Sequence, residues 1–477
     1  MSGFPAQRFT GGDVMRAAVD AIAVASKVAE ISWTRTAGRD AVRMAASGRF
    51  AEIVRIARAR SPYYRRLWRA LPDRPLSLRE LPVVTKRDLM ANFDDWATER
   101  QIDRRGVERF LADRSHIGAD YLGRFVVWKS SGSSGEPGIY VQDRDALSTY
   151  DALLIVQLLS LQVVARYAWS LAANGGRAAL VAATGDHFAS IASWQRVCRG
   201  MPWPSARAFS VMEPLPALVE KLNRFAPSFL ASYPTTLAAL AGEQRSRRLR
   251  ISPTCIWSGG EHLSDPARES IEAAFRAIVI NEYGASECMS IAFSCPRGAL
   301  HVNADWVMLE PVDRDYRPTP PGERSHTVLL TNLANRVQPI IRYDLGDSIT
   351  ASERACRCGS ALPVIRAEGR RDDVLVLKAH DGSIVRLSPL ALTTVVEDAT
   401  TCHPFQLLQT APDCIAVRLC ARDPRSRREG LRSATRALHA YLAHQSLGNV
   451  RVVADDTPPL PDARSGKLRE VVYHSSS

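Results

Sequence analysis

Several short segments of this chain combine hydroxyl groups, glycines and carboxylates in patterns that could bind a phosphorylated ligand. The first follows the strand-like run FVVWK and has three glycines and four serines within nine residues, SSGSSGEPG at 130–138. Backbone N–H groups in such a loop can turn inward around an anion, and serine hydroxyls can donate to phosphate oxygens. The segment is not a Walker P-loop, because no Gly-Lys-Ser/Thr ends it. Its composition is equally typical of a flexible linker.

Three further motifs could contact other parts of a nucleotide. NEYGASE at 281–287 follows the β-like run AIVI and offers an aromatic face for a base, a hydroxyl and a carboxylate for Mg²⁺. RYDLGD at 342–347 places a carboxylate on a turn, where it could accept hydrogen bonds from two ribose hydroxyls. Gly and Asp also favour turns without any ligand. SGKLR at 465–469 carries Lys467, one of only six lysines; a single lysine there would be exposed and inert in most proteins.

A group of cysteines and one histidine has the composition of a metal site. Cys295 and His301 are followed about 55 residues later by Cys356 and Cys358. Three thiolates and one imidazole form a closed tetrahedral set, which is typical of structural zinc. Neither half has a common zinc-finger spacing, so surface thiols and a loop histidine are the alternative. Cys288 is a reserve ligand. We interpret the other cysteines as small buried hydrophobic residues: Cys198, Cys255, Cys402, Cys414 and Cys420.

The composition excludes several classes of protein. The 477 residues are 46% apolar and 23% charged, close to globular averages, and suffice for two to four domains. The most apolar stretch, 152–165, contains two glutamines and is bounded by Asp151 and Arg166, which predicts a buried helix rather than a membrane span. Charged residues interrupt the N-terminus, so we expect a soluble cytoplasmic protein without a signal peptide. The net charge of +12 comes mostly from scattered arginines, so no nucleic-acid partner is expected.

The order of short apolar runs predicts an α/β fold. From residue 124 onward, β-rich runs alternate with helical ones, which favours a mainly parallel sheet flanked by helices. The runs are Phe125–Trp128, Ala178–Ala182, Cys255–Ser258, Ala277–Ile280 and Thr327–Thr331. The charged break GRRDD at 369–373 precedes a segment with its own apolar strands and a helix. We therefore predict a large N-terminal domain, 1–371, and a small α+β C-terminal domain, 372–477.

Taken in order, the Ser/Gly loop, YGxSE, Tyr-x-x-Gly-Asp, Gly-Arg-x-Asp and C-terminal Ser-Gly-Lys resemble the adenylate-forming superfamily. The SSGSSG loop and YGASE look like its phenylacetate–CoA ligase branch, and the resemblance covers roughly residues 124–472. It implies an ATP-dependent ligase that converts a carboxylic acid into an acyl-adenylate, releases pyrophosphate and transfers the acyl group to CoA. The N-terminal domain would bind ATP and acid, and the C-terminal domain would be a mobile lid. Some phenylacetate–CoA ligase relatives carry similar Cys/His elements, which supports structural zinc.

The resemblance also implies roles for individual residues. The phosphate loop would be Ser130, Ser131, Gly132, Ser133, Ser134 and Gly135. Gly259, Gly260, Glu261, Tyr283 and Gly284 would line the adenine, with Tyr283 stacking. Ser286 would contact the α-phosphate, Glu287 would bind Mg²⁺, and Asp347 and Arg370 would hold the ribose. Asp372 would be the hinge, and Lys467 would bridge the acid and the α-phosphate.

The sequence differs from the family pattern at two places. The family usually has lysine where this chain has Glu136, and the C-terminal signature of the phenylacetate enzymes is absent. The predicted acid pocket lies between the sheet and the helix after the Ser/Gly loop, and its aromatic residues suit an aryl acid. Its expected residues are Tyr140, His187, Phe188, Tyr233, Trp257 and Ala285. The alternatives are transfer to a carrier-protein thiol or an amine, and a zinc-bearing nucleotide-binding protein without catalysis. A homodimer is compatible with the sequence.

Overall fold

The computed structural model describes residues 11–130, 137–159, 176–200, 206–261, 263, 265–367, 375–387, 389–402, 405–421, 423–460 and 470–473. Its α-helices are Gly11–Thr36, Arg39–Arg60, Pro62–Leu67, Lys86–Ala91, Phe93–Trp96, Arg104–Ala112, Arg144–Leu158, Ala189–Gly200, Leu215–Phe225, Pro234–Arg245, Asp265–Phe275, Pro389–Ala399 and Pro424–His444. Across these residues, no helix combines the length and hydropathy that crossing a bilayer requires.

Side-chain caps fix where several of these helices begin. Ser61 accepts a hydrogen bond from the Tyr64 N–H at the start of helix Pro62–Leu67. Asp143 and Asp423 cap helices Arg144–Leu158 and Pro424–His444 in the same way. Because the first N–H groups of a helix have no partner within it, such caps contribute about 1 kcal/mol each.

The strands, numbered in chain order, are β1 Asp120–Tyr121, β2 Phe125–Lys129, β3 Ile139–Gln142, β4 Ala178–Ala182, β5 Ala206–Ser210, β6 Phe229–Ser232, β7 Cys255–Gly259, β8 Ile278–Ala285, β9 Cys288–Ser294, β10 Leu300–Val302, β11 Val307–Val312, β12 Thr327–Asn332, β13 Ile340–Asp344, β14 Ile349–Ala351, β15 Val364–Ala367, β16 Leu375–Lys378, β17 Ile384–Leu387, β18 Phe405–Ala411, β19 Cys414–Leu419, β20 Arg451–Ala454 and β21 Val471–Tyr473.

A nine-stranded sheet with the order β14-β15-β10-β9-β8-β7-β6-β4-β5 is the centre of the fold. Strands β5, β4, β6, β7 and β8 pair in parallel, whereas the remaining pairings are antiparallel. The predicted α/β fold is therefore confirmed, and its parallel part contains the predicted runs around β4, β7 and β8. Two small antiparallel sheets, β1-β2-β3 and β11-β12-β13, pack beside it.

The two faces of the large sheet are buried against different helices. Alternate residues of β7 show this: Trp257 belongs to the core shared with the N-terminal helices, whereas Ile256 belongs to a core with helices such as Leu215–Phe225. This alternation follows from the two-residue repeat of a strand. A third core consists of buried residues that all lie between Leu375 and Val471.

The residues from Leu375 to Tyr473, which we call the C-terminal unit, form a hairpin and a four-stranded sheet. The sheet order is β20-β19-β18-β21, and helices Pro389–Ala399 and Pro424–His444 pack in its core. Arg114 forms an ion pair with Asp398 and so joins the N-terminal part to this unit. The separate core agrees with the predicted small α+β domain, whereas the predicted break at 369–373 lies outside the described residues.

Candidate active site

Ser130 and the motifs NEYGASE and RYDLGD meet at one edge of the nine-stranded sheet, where the parallel strands end. The residues that follow β4, β6, β7 and β8 lie together there because parallel strands present their carboxyl ends at the same edge. A cleft of about 3310 Å³ borders this edge and continues to residues near the opposite edge, such as Arg248 and Gly298. It extends to residues of the C-terminal unit, including Tyr441 and His444. Segments distant in sequence therefore share one solvent-accessible site.

Ser130 closes the base of the Ser/Gly loop. Its N–H donates to the Gly138 carbonyl at 2.8 Å, and its hydroxyl accepts from the Gly138 N–H at 2.8 Å. These two bonds hold both ends of the loop together. The preceding Lys129 donates its backbone N–H to the His187 carbonyl and forms an ion pair with Asp186. The predicted phosphate-binding residues 131–135 and Glu136 lie outside the described residues.

Glu287 is held by two tyrosines from different motifs. The hydroxyls of Tyr140, on β3, and Tyr343, on β13, each donate to Oε1 of Glu287 at 2.7 Å. Burial raises the pKa of both phenols well above the usual value, and the neighbouring carboxylate raises it further. The phenols therefore remain donors at neutral pH. They fix the orientation of a carboxylate that borders the cleft, and leave Oε2 as an oxygen ligand suited to Mg²⁺.

The tyrosine and the aspartate predicted to bind the nucleoside are hydrogen-bonded to each other. The Tyr283 hydroxyl donates to Oδ2 of Asp347 at 2.9 Å, and both residues border the cleft. The turn after Tyr283 is positioned by Trp128, whose indole N–H donates to the Ser286 carbonyl at 2.8 Å. These hydrogen bonds link the YGASE motif to the strand before the Ser/Gly loop and to the RYDLGD motif.

Two glycines of the predicted adenine site cannot be replaced without a shift. A Cβ at Gly284 would lie 1.9 Å from the Met289 carbonyl oxygen on β9. Gly260 has a φ of +82° in the left-handed region, and a Cβ there would approach the Tyr233 ring to 3.1 Å. The next residue, Glu261, accepts a hydrogen bond of 2.7 Å from the Thr235 hydroxyl. Both glycines allow the backbone to approach neighbouring groups at the cleft wall.

Four of the six residues expected in the acid pocket border the cleft. These are Phe188, Tyr233, Trp257 and Ala285. Tyr140 and His187 do not border it: Tyr140 is 1% exposed and bonded to Glu287, and His187 is fully buried. One His187 nitrogen, Nε2, lies 3.0 Å from the Asp113 carbonyl, and burial lowers the pKa of this imidazole. The structure therefore gives both side chains packing and positioning roles.

Glu282 is a site residue that the sequence analysis did not single out. It lies between Asn281 and Tyr283 on β8 and borders the cleft. It accepts hydrogen bonds from the Trp257 indole at 2.8 Å and the Ser290 hydroxyl at 3.2 Å. Side chains alternate between the two faces of a strand, so the pairing of β8 with β7 would have predicted that Glu282 lies on the same face as Trp257.

The four predicted metal ligands come together beside this sheet. The ligand atoms of Cys295, His301, Cys356 and Cys358 all lie within 4.8 Å of one another. The Cys295 and Cys356 sulfurs are 3.9 Å apart, and the Cys358 sulfur is 3.3 Å from Nε2 of His301. Tetrahedral zinc with Zn–S bonds of about 2.3 Å requires a sulfur–sulfur distance of about 3.8 Å.

The orientation of His301 also fits zinc. Its Nδ1 lies 3.1 Å from the Leu362 carbonyl, so a hydrogen bond from Nδ1–H leaves Nε2 free to bind the metal. The donor set and spacing therefore fit a closed structural site. Among the remaining cysteines, Cys255, Cys402 and Cys414 are buried as expected, whereas Cys420 is exposed and Cys198 is half-buried. Cys288 is buried directly after Glu287 and is not part of the cluster.

Three other predicted residues, Arg370, Asp372 and Lys467, lie outside the described residues. Their assignments rest on the sequence motifs alone. Described strands lie next to these residues. Strand β15 ends at Ala367, just before Arg370 and Asp372, and β21 begins at Val471, just after Lys467.

The fold is that of the adenylate-forming superfamily, which confirms the predicted resemblance. No protein-family model matches the chain. The structure is similar to 2-hydroxyisobutyryl-CoA ligase in complex with 2-HIB-AMP and CoA in the thioesterification state, with a TM-score of 0.55, 20% identity, and coverage of 90% of this chain and 89% of that one. The same ligase in its postadenylation state with R3-HIB-AMP gives a TM-score of 0.51 at 20% identity, over 91% and 89% of the two chains.

Two curated proteins are similar in sequence. Phenylacetate-coenzyme A ligase of Thermus thermophilus is 23% identical over 368 residues, which is 72% of this chain and 73% of that protein. Protein CapK of Staphylococcus aureus is 27% identical over 139 residues, which is 29% of each chain.

Proposed function

We propose that this protein is an AMP-forming acid–thiol ligase that activates a carboxylic acid with ATP and transfers the acyl group to CoA. The observation that carries the proposal is the convergence of Ser130, Tyr283, Glu287 and Asp347 around one cleft at the carboxyl edge of the parallel strands. A carboxylate for Mg²⁺, a ring for the base and a carboxylate for the ribose are the groups that binding ATP requires. The two similar ligases named above support the same reaction, and both structures of the 2-hydroxyisobutyryl-CoA ligase contain an acyl-AMP.

In the first half-reaction, the substrate carboxylate attacks the α-phosphorus of ATP. A carboxyl O–P bond forms, and the bond to the β-phosphate oxygen breaks, so that pyrophosphate leaves. Negative charge accumulates on the phosphoryl oxygens, and fixed donors and cations aimed at it are the largest catalytic contribution available. Glu287 would hold Mg²⁺, which neutralises part of this charge, while Tyr140 and Tyr343 keep its carboxylate in place. Ser286 and the loop from Ser130 would contact the phosphates.

In the second half-reaction, the thiolate of CoA attacks the acyl carbonyl and AMP leaves. We assign Lys467 to the first step, between acid and α-phosphate, and Arg370 and Asp347 to the ribose. The domain division at 371/372, with Asp372 as the hinge, is supported by the separate core of the C-terminal unit. A lid of this kind would carry Lys467 away before the thiol enters.

We assign an aromatic acid as the substrate. Phe188, Tyr233 and Trp257 border the cleft on the side of helix Ala189–Gly200, where a planar ring could stack. The name of the Thermus thermophilus relative supports the same substrate class. The Cys₃His cluster would hold zinc as a structural brace, since its four ligands leave no open position for catalysis.

The test is acid-dependent ATP–pyrophosphate exchange with a panel of aromatic and aliphatic acids. At least one aromatic acid should support exchange, and Glu287→Gln should lower it by about 10²-fold or more, because a charged Mg²⁺ ligand is lost. Glu108→Gln, which alters a half-exposed ion pair with Arg104 on the surface, is the matched control. Absence of exchange with every acid would refute the proposal.

Product analysis identifies the acceptor. Adding CoA should yield an acyl-CoA. Acyl-hydroxamate formed with hydroxylamine in reactions that give no acyl-CoA would instead support the carrier-protein or amine alternative.

A further inference from the structure

Glu282 places an acceptor on the wall of the cleft. It lies on β8, opposite Gly259 of β7, and its side chain is on the face that carries Trp257. Helix Ala189–Gly200 also borders the cleft, through Ser193 and Trp194, and the Ser193 hydroxyl lies 3.4 Å from the sulfur of Met289, the residue before Ser290. The Glu282 carboxyl group and this helix therefore border the same cleft.

The described partners of Glu282 leave its charge uncompensated. Both donors, the Trp257 indole and the Ser290 hydroxyl, are neutral, and each occupies one carboxylate oxygen. A carboxylate can accept about four hydrogen bonds, so acceptor capacity remains. Burial is the main cause that raises the pKa of Glu282 to about 7, and the two hydrogen bonds oppose it. Among the described residues, the cation Arg196 on helix Ala189–Gly200 is already paired with Asp151.

A second polar group on the cleft wall also lacks a partner. The indole N–H of Trp194 is buried and has no hydrogen-bond partner within the described chain. A donor and an acceptor without full partners on one cleft wall indicate a ligand that supplies both. A purely hydrocarbon ring would leave the Trp194 N–H without an acceptor and the Glu282 carboxylate without a further donor, both of which are unfavourable in a buried site.

We propose that Glu282 determines specificity by accepting a hydrogen bond from a donor group on the acid. The substrate class is then an aromatic carboxylic acid that carries an amino or hydroxyl group on its ring. The inference rests on the proposed ligase function and narrows its substrate. Sites built to bond a substrate O–H or N–H reject the analogue without it far more strongly than apolar pockets discriminate by size.

The experiment compares acids that differ only in the ring substituent. Amino-, hydroxy- and methyl-substituted benzoates and phenylacetates are measured for kcat/KM in ATP–pyrophosphate exchange. The wild type should prefer the best amino or hydroxy acid over its methyl analogue by at least about 10²-fold. The amino and hydroxy arms of the panel distinguish the two donors.

Variants connect the preference to Glu282. Glu282→Leu removes the acceptor and should reduce the preference at least about tenfold, mainly by lowering activity with the donor acid. Glu282→Gln keeps the shape and should reduce it less, because one acceptor oxygen remains. Glu108→Gln should keep the wild-type preference. Equal activity with donor and methyl acids, or an unchanged preference in Glu282→Leu, would overturn the inference.

A binding measurement separates this inference from the ligase proposal. If no acid supports exchange, calorimetric titration of the same acids without ATP still tests Glu282. Tighter binding of the donor acid than of its methyl analogue, lost in Glu282→Leu, would support the role of Glu282 while the ligase function fails. Equal binding of both acids, or no binding of either, would overturn it.

Discussion

Replacing Cys356 with serine should remove zinc and destabilise the part of the chain that contains the large sheet. The Cys356 sulfur lies 3.9 Å from that of Cys295, and the two residues are 61 positions apart. A metal that bridges them closes a loop of that length. In the chain-entropy treatment, closing such a loop disfavours the unfolded state by about 4 kcal/mol.

This loss can be measured as a change in thermal stability. With an unfolding entropy of about 2.1 cal/mol/K per residue, a loss of about 4 kcal/mol in a domain of about 370 residues corresponds to a fall in Tm of about 5 °C. We expect about one zinc per chain in the wild type by metal analysis, and much less in Cys356→Ser. Cys420→Ser is the matched control, because Cys420 is an exposed thiol outside the cluster.

A chelator provides an independent measurement. Wild-type protein stripped of zinc should show the Tm of Cys356→Ser, and adding zinc back should restore it, because the folded state binds the metal. Metal-free wild type that keeps both its Tm and its activity would refute the reasoning. So would an equal loss of zinc in Cys420→Ser.

Three further predictions concern other charged groups. Lys467→Ala should slow adenylate formation by at least about 10²-fold. The variant should still convert synthetic acyl-adenylate and CoA at a near wild-type rate. Equal loss in both half-reactions would contradict a rotating lid. Glu136→Lys should lower the KM for ATP through a more favourable field at the phosphates, and an unchanged KM would mean that the side chain faces solvent. Burial, and then Glu397, raise the pKa of Glu470 to about 9. Between pH 4.5 and about 9 the folded protein keeps this proton, whereas the unfolded chain has lost it. The free energy of unfolding should therefore fall as pH rises through this range. The Glu470→Gln variant should lose less stability over this range than the wild type. Parallel Tm–pH curves for the wild type and the variant would contradict this role of Glu470.

The antiparallel part of the large sheet was within reach of the sequence but was not predicted. Only Ser286 and Glu287 separate β8 from β9, and so short a connection permits only an antiparallel pair. The parallel strands were easier to identify, because continuous apolar runs such as Ala178–Ala182 are typical of strands buried on both faces. Local composition therefore predicts the strands, whereas connection length determines their direction.

Motifs in the sequence predicted the chemical types of the site residues, but not how the side chains around them pack. Ligand types together with the family resemblance indicated the Cys₃His set, and the structure brings all four residues together. The acid pocket could not be resolved in this way, because aromatic residues are common both in cores and in pockets. Tyr140, His187, Tyr233 and Trp257 are all buried. Only the three-dimensional packing shows that Tyr233 and Trp257 border the cleft whereas the other two side chains do not.

The pair of phenols on Glu287 has a consequence for how this family of sequences can diverge. Tyr140 and Tyr343 are about 200 positions apart, yet both donate to the same carboxylate oxygen. Without the carboxylate one phenol could donate to the other, so at least one buried hydroxyl would lose its acceptor, at a cost of about 1–3 kcal/mol. We therefore expect correlated substitution: homologues in which Glu287 is replaced by an apolar residue should carry phenylalanine or another apolar residue at one or both tyrosine positions. An alignment in which the three positions vary independently would show that the interaction does not constrain divergence.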